Sequence, residues 1–315
     1  MRILFAGSPS IAVPCLEAIN NIDGIEIAAV LTNPDTAKGR SGALIPTEVG
    51  EAAQKLGISP IFKPEKLDGA MREQILALNI DLLISFAYAR LFGPKFLALF
   101  PLGGINIHPS LLPKYRGPAP IQATILNRDS ETGVSIQTLA AEMDCGDILA
   151  VNKILLEGNE TSQSLNETAS KLAAQMLPDV LKKIAAGSAS RTAQDSSHAS
   201  YCKLISKESG CIDWSQSALD IDAKIRAFYP WPLCRTIHNG RELLLLKATA
   251  GDSSIQAPSK STPGKVLGTD KQYGILIQTG DGILAVTELQ YQAKKALFWR
   301  DFLNGARDFT GSQLG

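Results

Sequence analysis

The 315 residues include 45% hydrophobic and 20% charged side chains, with Lys plus Arg and Asp plus Glu each totalling 31. That is enough apolar material for a sizeable core, and the length exceeds the roughly 100–200 residues of one domain, so two domains are expected. Zero net charge advertises no nucleic acid: residues 205–315 hold 13 basic and 11 acidic groups, a weak electrostatic footprint for an RNA binder.

In chain order, Arg2–Ala6, Ile25–Thr32, Pro60–Phe62, Asp81–Ala87 and Gly104–His108 are short apolar runs that read as strands. Between them Val13/Leu16/Ile19, Val49/Ala52/Ala53/Leu56 and Met71/Ile75/Leu78 have helical spacing. Such alternation predicts a mostly parallel, Rossmann-like α/β sheet flanked by helices. Val134–Leu139 and Ile148–Leu156 read as later strands, and Thr161–Ala186 as a long closing helix. Gly187–Ser200 is small and polar, as a linker is. Short strand-like runs follow at Leu243–Leu246, Gly264–Leu267, Ile275–Gln278 and Ile283–Leu289, which predict a small β-barrel or sandwich. The expected division is residues 1–190, a linker at 191–204, and 205–315.

Gly7, Pro9 and Pro14 interrupt the apolar start, which reads as strand, turn and helix rather than a signal peptide. No apolar run of about 18 residues predicts a membrane span. The five cysteines form no CxxC pair, and no histidine stands at metal-ligand spacing, so reduced thiols in a cytoplasm and no metal are expected.

The strongest local signal is Gly103–Gly117, GGINIHPSLLPKYRG. Asn106 and His108 stand at i and i+2 near the end of a predicted strand, so their side chains leave the same face. Ligands of open α/β sheets bind beyond the carboxyl ends of strands. A lone histidine is more often a hydrogen-bonded structural residue; the amide beside it shifts the reading toward function. In Met143–Leu149, MDCGDIL, Asp144 and Asp147 flank a glycine. This is either a tight turn or a carboxylate reaching His108, which would favour the protonated ring and make it a cationic donor. Phe5–Pro9 lacks the GxGxxG spacing of a dinucleotide loop, and no P-loop, GxSxG elbow or zinc signature occurs.

Asn106-Ile107-His108, Ser110 through Gly117, and Asp144-Cys145-Gly146-Asp147 together resemble the folate-dependent formyltransferases. The resemblance implies a catalytic trio of Asn106, His108 and Asp144, and a tetrahydrofolate site containing Ser110, Leu111, Leu112 and Pro113. Tyr88, in Ser85–Leu91, is the candidate wall for the pterin ring. AGSPSIAVPCLEAI (residues 6–19), YCKLISKESGCIDW (201–214), FYPWPLC (228–234) and LQYQAKKALFWRDFLNG (289–305) resemble the methionyl-tRNA branch, whose second domain is OB-like and helps to hold tRNA. The resemblance spans nearly the whole chain. It implies 10-formyltetrahydrofolate as formyl donor, initiator methionyl-tRNA as acceptor, and no obligate protein partner. Lys38 and Arg40 are the basic residues of the branch's insertion loop, here the weakly basic Asp35–Leu44, and a Gly-Lys-Lys pattern of the branch reads Gln292-Ala293-Lys294-Lys295. Formylation of an amino sugar nucleotide, or a non-catalytic RNA-binding relative, is the alternative.

Overall fold

The computed structural model describes residues 1–38, 43–251 and 261–315. The chain folds as two compact units. Met1–Pro120, Glu131–Leu155 and Leu165–Lys203 make the first; Ile121–Ser130, Leu156–Ser164 and Leu204–Gly315 make the second.

In the first unit the elements run β1 (Arg2–Gly7), α1 (Val13–Asn20), β2 (Glu26–Leu31), an antiparallel pair β3 (Thr36–Lys38) and β4 (Ala43–Ile45), α2 (Glu48–Lys55), β5 (Ile61–Phe62), α3 (Gly69–Leu76), β6 (Leu82–Phe86), α4 (Pro94–Leu97) and β7 (Gly104–His108). β8 (Glu131–Thr138), β9 (Ile148–Leu155) and the long α6 (Ser162–Ala185) complete it; α5 (Pro120–Leu126), from Ile121 on, and the first residues of α6 belong to the second unit. A seven-stranded sheet is ordered β5-β2-β1-β6-β7-β8-β9, parallel through β7 and antiparallel at β8 and β9. Ile3 to Ala6 of β1 and Leu82 to Ile84 of β6 are wholly buried, which is why these strands are continuous apolar runs rather than alternating ones. Helices start where polar caps supply an acceptor: Thr47 takes the Gly50 N–H and Asp68 the Met71 N–H, both at 3.0 Å.

The segment that reads as a linker is bonded into this unit. Thr192 exchanges two backbone hydrogen bonds with Ile148 at 2.8 and 3.0 Å, and Arg116 bonds Ser200 and Cys202 at 2.8 and 2.9 Å. Its polar composition serves hydrogen bonding, and the first unit runs to Lys203 rather than 190.

The second unit carries α7 (Ala218–Ala227), β10 (Cys234–His238), β11 (Arg241–Ala250), β12 (Val266–Asp270), β13 (Gly274–Gln278), β14 (Ile283–Tyr291), β15 (Leu297–Phe298) and α8 (Trp299–Gly305). Its antiparallel sheet is ordered β10-β11-β14-β13-β12, with β15 on β14. Leu243 and Leu245, and Ile275 and Ile277, are buried at alternate positions, the period of a sheet with one face on a core. This is the strand-rich second domain that the close-set apolar runs predict. Among the described residues no helix is long and apolar enough to cross a membrane.

Candidate active site

β7 is the last parallel strand, hydrogen-bonded to β6 on one side and β8 on the other, with Asn106 opposite Ser85 and Gln137. Its carboxyl end, where the ladder turns antiparallel, presents Asn106 and His108 on one face. The loop after β8 brings Asp144 to them. Asn106 Nδ2 donates to Asp144 Oδ1 at 3.2 Å, Gln137 Nε2 donates to the same oxygen at 3.0 Å, and the Gly117 N–H donates to Oδ2 at 2.8 Å. His108 Nδ1 lies 3.6 Å from Oδ2. The three residues that the resemblance names thus meet around one carboxylate, 38 positions apart in the chain.

Two glycines permit this approach. A Cβ on Gly146 would stand 1.7 Å from the Thr138 carbonyl oxygen, and one on Gly117, at φ +113°, would stand 2.6 Å from the Cys202 carbonyl oxygen. Asp144 and Tyr115 themselves take left-handed backbone, φ 56° and 57°. Such angles are uncommon outside glycine and persist where surroundings over-determine them, as the bonds to Asp144 do. Asp147 turns its backbone to Thr138, at 2.9 Å in both directions, so the Asp-Cys-Gly-Asp stretch is also a turn.

The histidine is more enclosed than its neighbours in sequence suggest. His108 is 4% exposed, and Nε2 stands 2.9 Å from the Tyr115 carbonyl oxygen. A carbonyl only accepts, so Nε2 carries a proton. Burial pushes the imidazole below its ordinary range, outweighing the opposite pull of Asp144 and of the Tyr115 carbonyl. Nδ1 is the ring nitrogen that faces the carboxylate. Burial thus works against the imidazolium that a nearby carboxylate favours: proximity to a carboxylate is visible in the sequence, desolvation is not.

The Ser110–Pro113 segment leaves β7 beside this cluster. Ser110 is buried and its Oγ donates to the Lys114 carbonyl at 2.6 Å, an internal brace. Ser135, opposite His108 on β8, donates to the Ser110 carbonyl at 2.7 Å and accepts the Leu112 N–H at 3.1 Å. Leu111, Leu112 and Pro113 are half-buried, and the Leu112–Pro113 peptide is cis. Tyr88 is 1% exposed, its ring stacked on Phe92 at 5.5 Å in a cluster with Phe96 and Phe100. Left-handed residues Ala87 and Ala89 flank it, so the ring belongs to the core rather than to an open wall. Lys38 ends β3, paired with Ala43; Arg40 lies outside the described residues. Gln137 and Ser135 escape a reading of the sequence because only the antiparallel register sets them opposite Asn106 and His108. Among the described residues no cluster of His, Cys, Asp and Glu could hold a metal ion.

A cavity of about 680 Å³ opens nearby in sequence and sheet position, after β5 and β6. Lys66, Arg72, Arg90 and Lys95 line it with Leu91 and Phe96, against one carboxylate, Glu65. Arg90 is fixed there by the Pro64 and Glu65 carbonyls at 2.9 and 2.5 Å.

The sequence pattern of the formyl transferase family matches residues 1–181, and that of the formyl transferase C-terminal domain matches residues 204–307. The chain is 47% identical to the methionyl-tRNA formyltransferase of Treponema denticola, across 98% of both chains. It belongs to the methionyl-tRNA formyltransferase family. Within that family it is also 43% identical to the enzyme of Treponema pallidum, over 100% of this chain and 99% of the other. Among solved structures, this formyltransferase resembles the N-formyltransferase of Helicobacter canadensis in complex with folinic acid and dTDP-3-aminofucose. The TM-score is 0.65 at 20% identity, over 90% of this chain and 98% of the other. It also resembles HypX of Aquifex aeolicus in complex with tetrahydrofolic acid, with TM-score 0.64 at 18% identity. That match covers 98% of this chain and 48% of HypX, so the formyltransferase spans about half the length of that relative. At such identities the shared property is the fold.

Proposed function

We propose that this enzyme transfers the formyl group of 10-formyltetrahydrofolate to the free amino group of methionyl initiator tRNA in the cytoplasm, giving N-formylmethionyl-tRNA. The observation that carries the reading is the meeting of Asn106, His108 and Asp144 at the carboxyl end of β7. Identity to methionyl-tRNA formyltransferases over the full chain supports the choice of acceptor over an amino sugar nucleotide.

When bound, the folate supplies the formyl carbon and leaves as an amine. The residues at hand suit it: its glutamate end carries carboxylates, and the cavity beside Leu91 offers four cations with one opposing charge. Ser110 through Pro113, braced by Ser135, are assigned to the folate as the family resemblance implies. One N–H of Asn106 holds Asp144, and the other is assigned to the carbonyl oxygen as it becomes an oxyanion, a role worth a few kcal/mol. Positioning both substrates removes up to ~7–11 kcal/mol of the barrier. His108, whose Nε2–H is committed to Tyr115, takes up at Nδ1 the proton that the attacking amine sheds, and Asp144 stabilises the imidazolium for that interval. The same proton is returned to the departing folate nitrogen. An α-amino group near pKa 8 is partly neutral at cellular pH, so orientation matters more than base strength. Lys38 and Arg40 are assigned to the acceptor end of the tRNA.

The test is transfer of labelled formyl from 10-formyltetrahydrofolate to charged acceptors presented separately. Methionyl initiator tRNA should be formylated, while the elongator form and an amino sugar nucleotide should not. Formylation of the sugar amine alone would overturn the reading.

A further inference from the structure

The carboxylate of Asp144 stands at the end of a chain of oriented amides that begins on a buried cation. Arg116 is 2% exposed, and among the described residues no carboxylate forms an ion pair with it. Its Nε and Nη2 donate to Gln194 Oε1 at 3.1 and 2.8 Å, and Nη1 donates to the Tyr201 hydroxyl at 3.1 Å. Gln194 Nε2 in turn lies 3.1 Å from Gln137 Oε1, 2.9 Å from the Asp144 carbonyl oxygen and 2.7 Å from the Gly146 carbonyl oxygen. Gln137 Oε1 also accepts the Gly146 N–H at 3.1 Å, and Gln137 Nε2 donates to Asp144 Oδ1 at 3.0 Å.

The direction of every bond is fixed by partners that have only one role. A guanidinium and a backbone N–H only donate, and a carbonyl and a carboxylate only accept, so neither amide can be reversed. All dipoles then point the same way, from the guanidinium toward the carboxylate. Hydrogen bonds in series polarise one another, and in a site withdrawn from water the effect is not screened.

We infer that Arg116, Gln194 and Gln137 are positioning residues that relay the Arg116 charge to Asp144 and hold its carboxylate oriented toward Asn106 and His108. Gln194 comes from the polar segment 187–200, so that segment does more than connect. Laced to β9 at Thr192 and to the loop after β7 at Ser200 and Cys202, it clamps the two loops that build the site. An uncompensated buried guanidinium is expensive, and a neutral amide relay ending on a carboxylate is one way to offset it. The inference rests on the proposed role of Asp144.

The test is steady-state formylation by the full chain carrying Gln194→Leu, Gln137→Glu or, in parallel, Asp144→Asn. Gln194→Leu should lower kcat about 10–100-fold, the usual effect of losing a group that orients a reacting residue, with KM for both substrates little changed. Gln137→Glu keeps the shape but sets two carboxylates against each other. It should be slow at about pH 8 and gain on the native enzyme as pH falls toward about 6, because a shared proton restores the donor. A native kcat in Gln194→Leu, or a Gln137→Glu pH profile parallel to the native one, would overturn the relay. If those results accompany an inactive Asp144→Asn, the relay alone fails; if Asp144→Asn is itself active, the underlying role of Asp144 fails with it.

Discussion

Asn106 and Gln137 face each other across the β7–β8 ladder, and both donate to the same oxygen of Asp144, at 3.2 and 3.0 Å. One residue pair in register therefore fixes where the carboxylate sits, and the loop that carries it follows. Its tolerance to change is correspondingly small at the points where backbone meets backbone.

Gly146 is such a point. Alanine there drives a methyl group into the Thr138 carbonyl, which belongs to β8 and has nowhere to move. Gly146→Ala should cost about 1–3 kcal/mol of stability, the range for overpacking, and turnover should collapse as Asp144 shifts. Gly305→Ala, with open space around its Cβ, is the control; equal denaturation midpoints for the two variants would contradict the prediction.

Ser135 braces the segment proposed to hold the folate. Removing its hydroxyl leaves the half-buried Leu112 N–H and the buried Ser110 carbonyl without that partner, at about 1–3 kcal/mol. Ser135→Ala should raise KM for the formyl donor more than it lowers kcat. A pure kcat defect would place Ser135 with the proton-transfer groups instead.

The cationic cavity makes a separate prediction. Lys66→Ala combined with Arg72→Ala should raise KM for the donor about tenfold, ~1.4 kcal/mol, with kcat retained. The effect should shrink at high salt, since these charges reach solvent. A salt-independent effect would point to lost packing rather than lost charge.

The pH dependence follows from His108. Its pKa in the folded chain lies below the ordinary 6.5 because burial disfavours the cation. As pH falls through 6.5 the unfolded chain takes up a proton first, so unfolding gains. Stability from the neutral ring is complete above 6.5 and is lost as pH falls toward the folded value. His238, also pushed down by burial, adds the same sign. Urea midpoints should drop from about pH 7.5 to about pH 5, less steeply in His108→Gln, and turnover should fall over the acid side of that window. Turnover that climbs on acidification would mean that the cation is the working form.

Much of this site was legible in the sequence, for a local reason. Asn106 and His108 sit two apart on a strand of period two, so their shared face follows from spacing alone. The strand Gly104–His108 itself was readable to the residue because Gly103 and Pro109 bound an apolar run. What escaped depends on distant parts of the chain. The partnership of Gln137 with Asn106 needs the antiparallel register; the role of Gln194 needs a polar segment to fold back over two loops. Burial of His108 is set by everything around it, and no pattern of neighbours discloses it. Tyr88 shows the converse: an aromatic after a strand suggests a ligand wall, but positive φ at Ala87 and Ala89 accompanies a ring in the core. The β-strands around Leu245 and Ile277 are visible as short apolar runs set off by turn residues, whereas the start of α7 is marked only by its capping Ser217 and first-turn Asp220.

The most direct measurement is single-turnover formylation of methionyl initiator tRNA by Asp144→Asn, with donor binding followed separately. The substitution preserves shape and removes the charge against which His108 is poised. The rate of transfer should fall about 10²–10⁴-fold, the usual worth of a positioned acid–base group, while donor affinity stays near native. Transfer within about twofold of the native rate would show that the cluster of Asn106, His108 and Asp144 is scaffolding, and that the chemistry is done elsewhere.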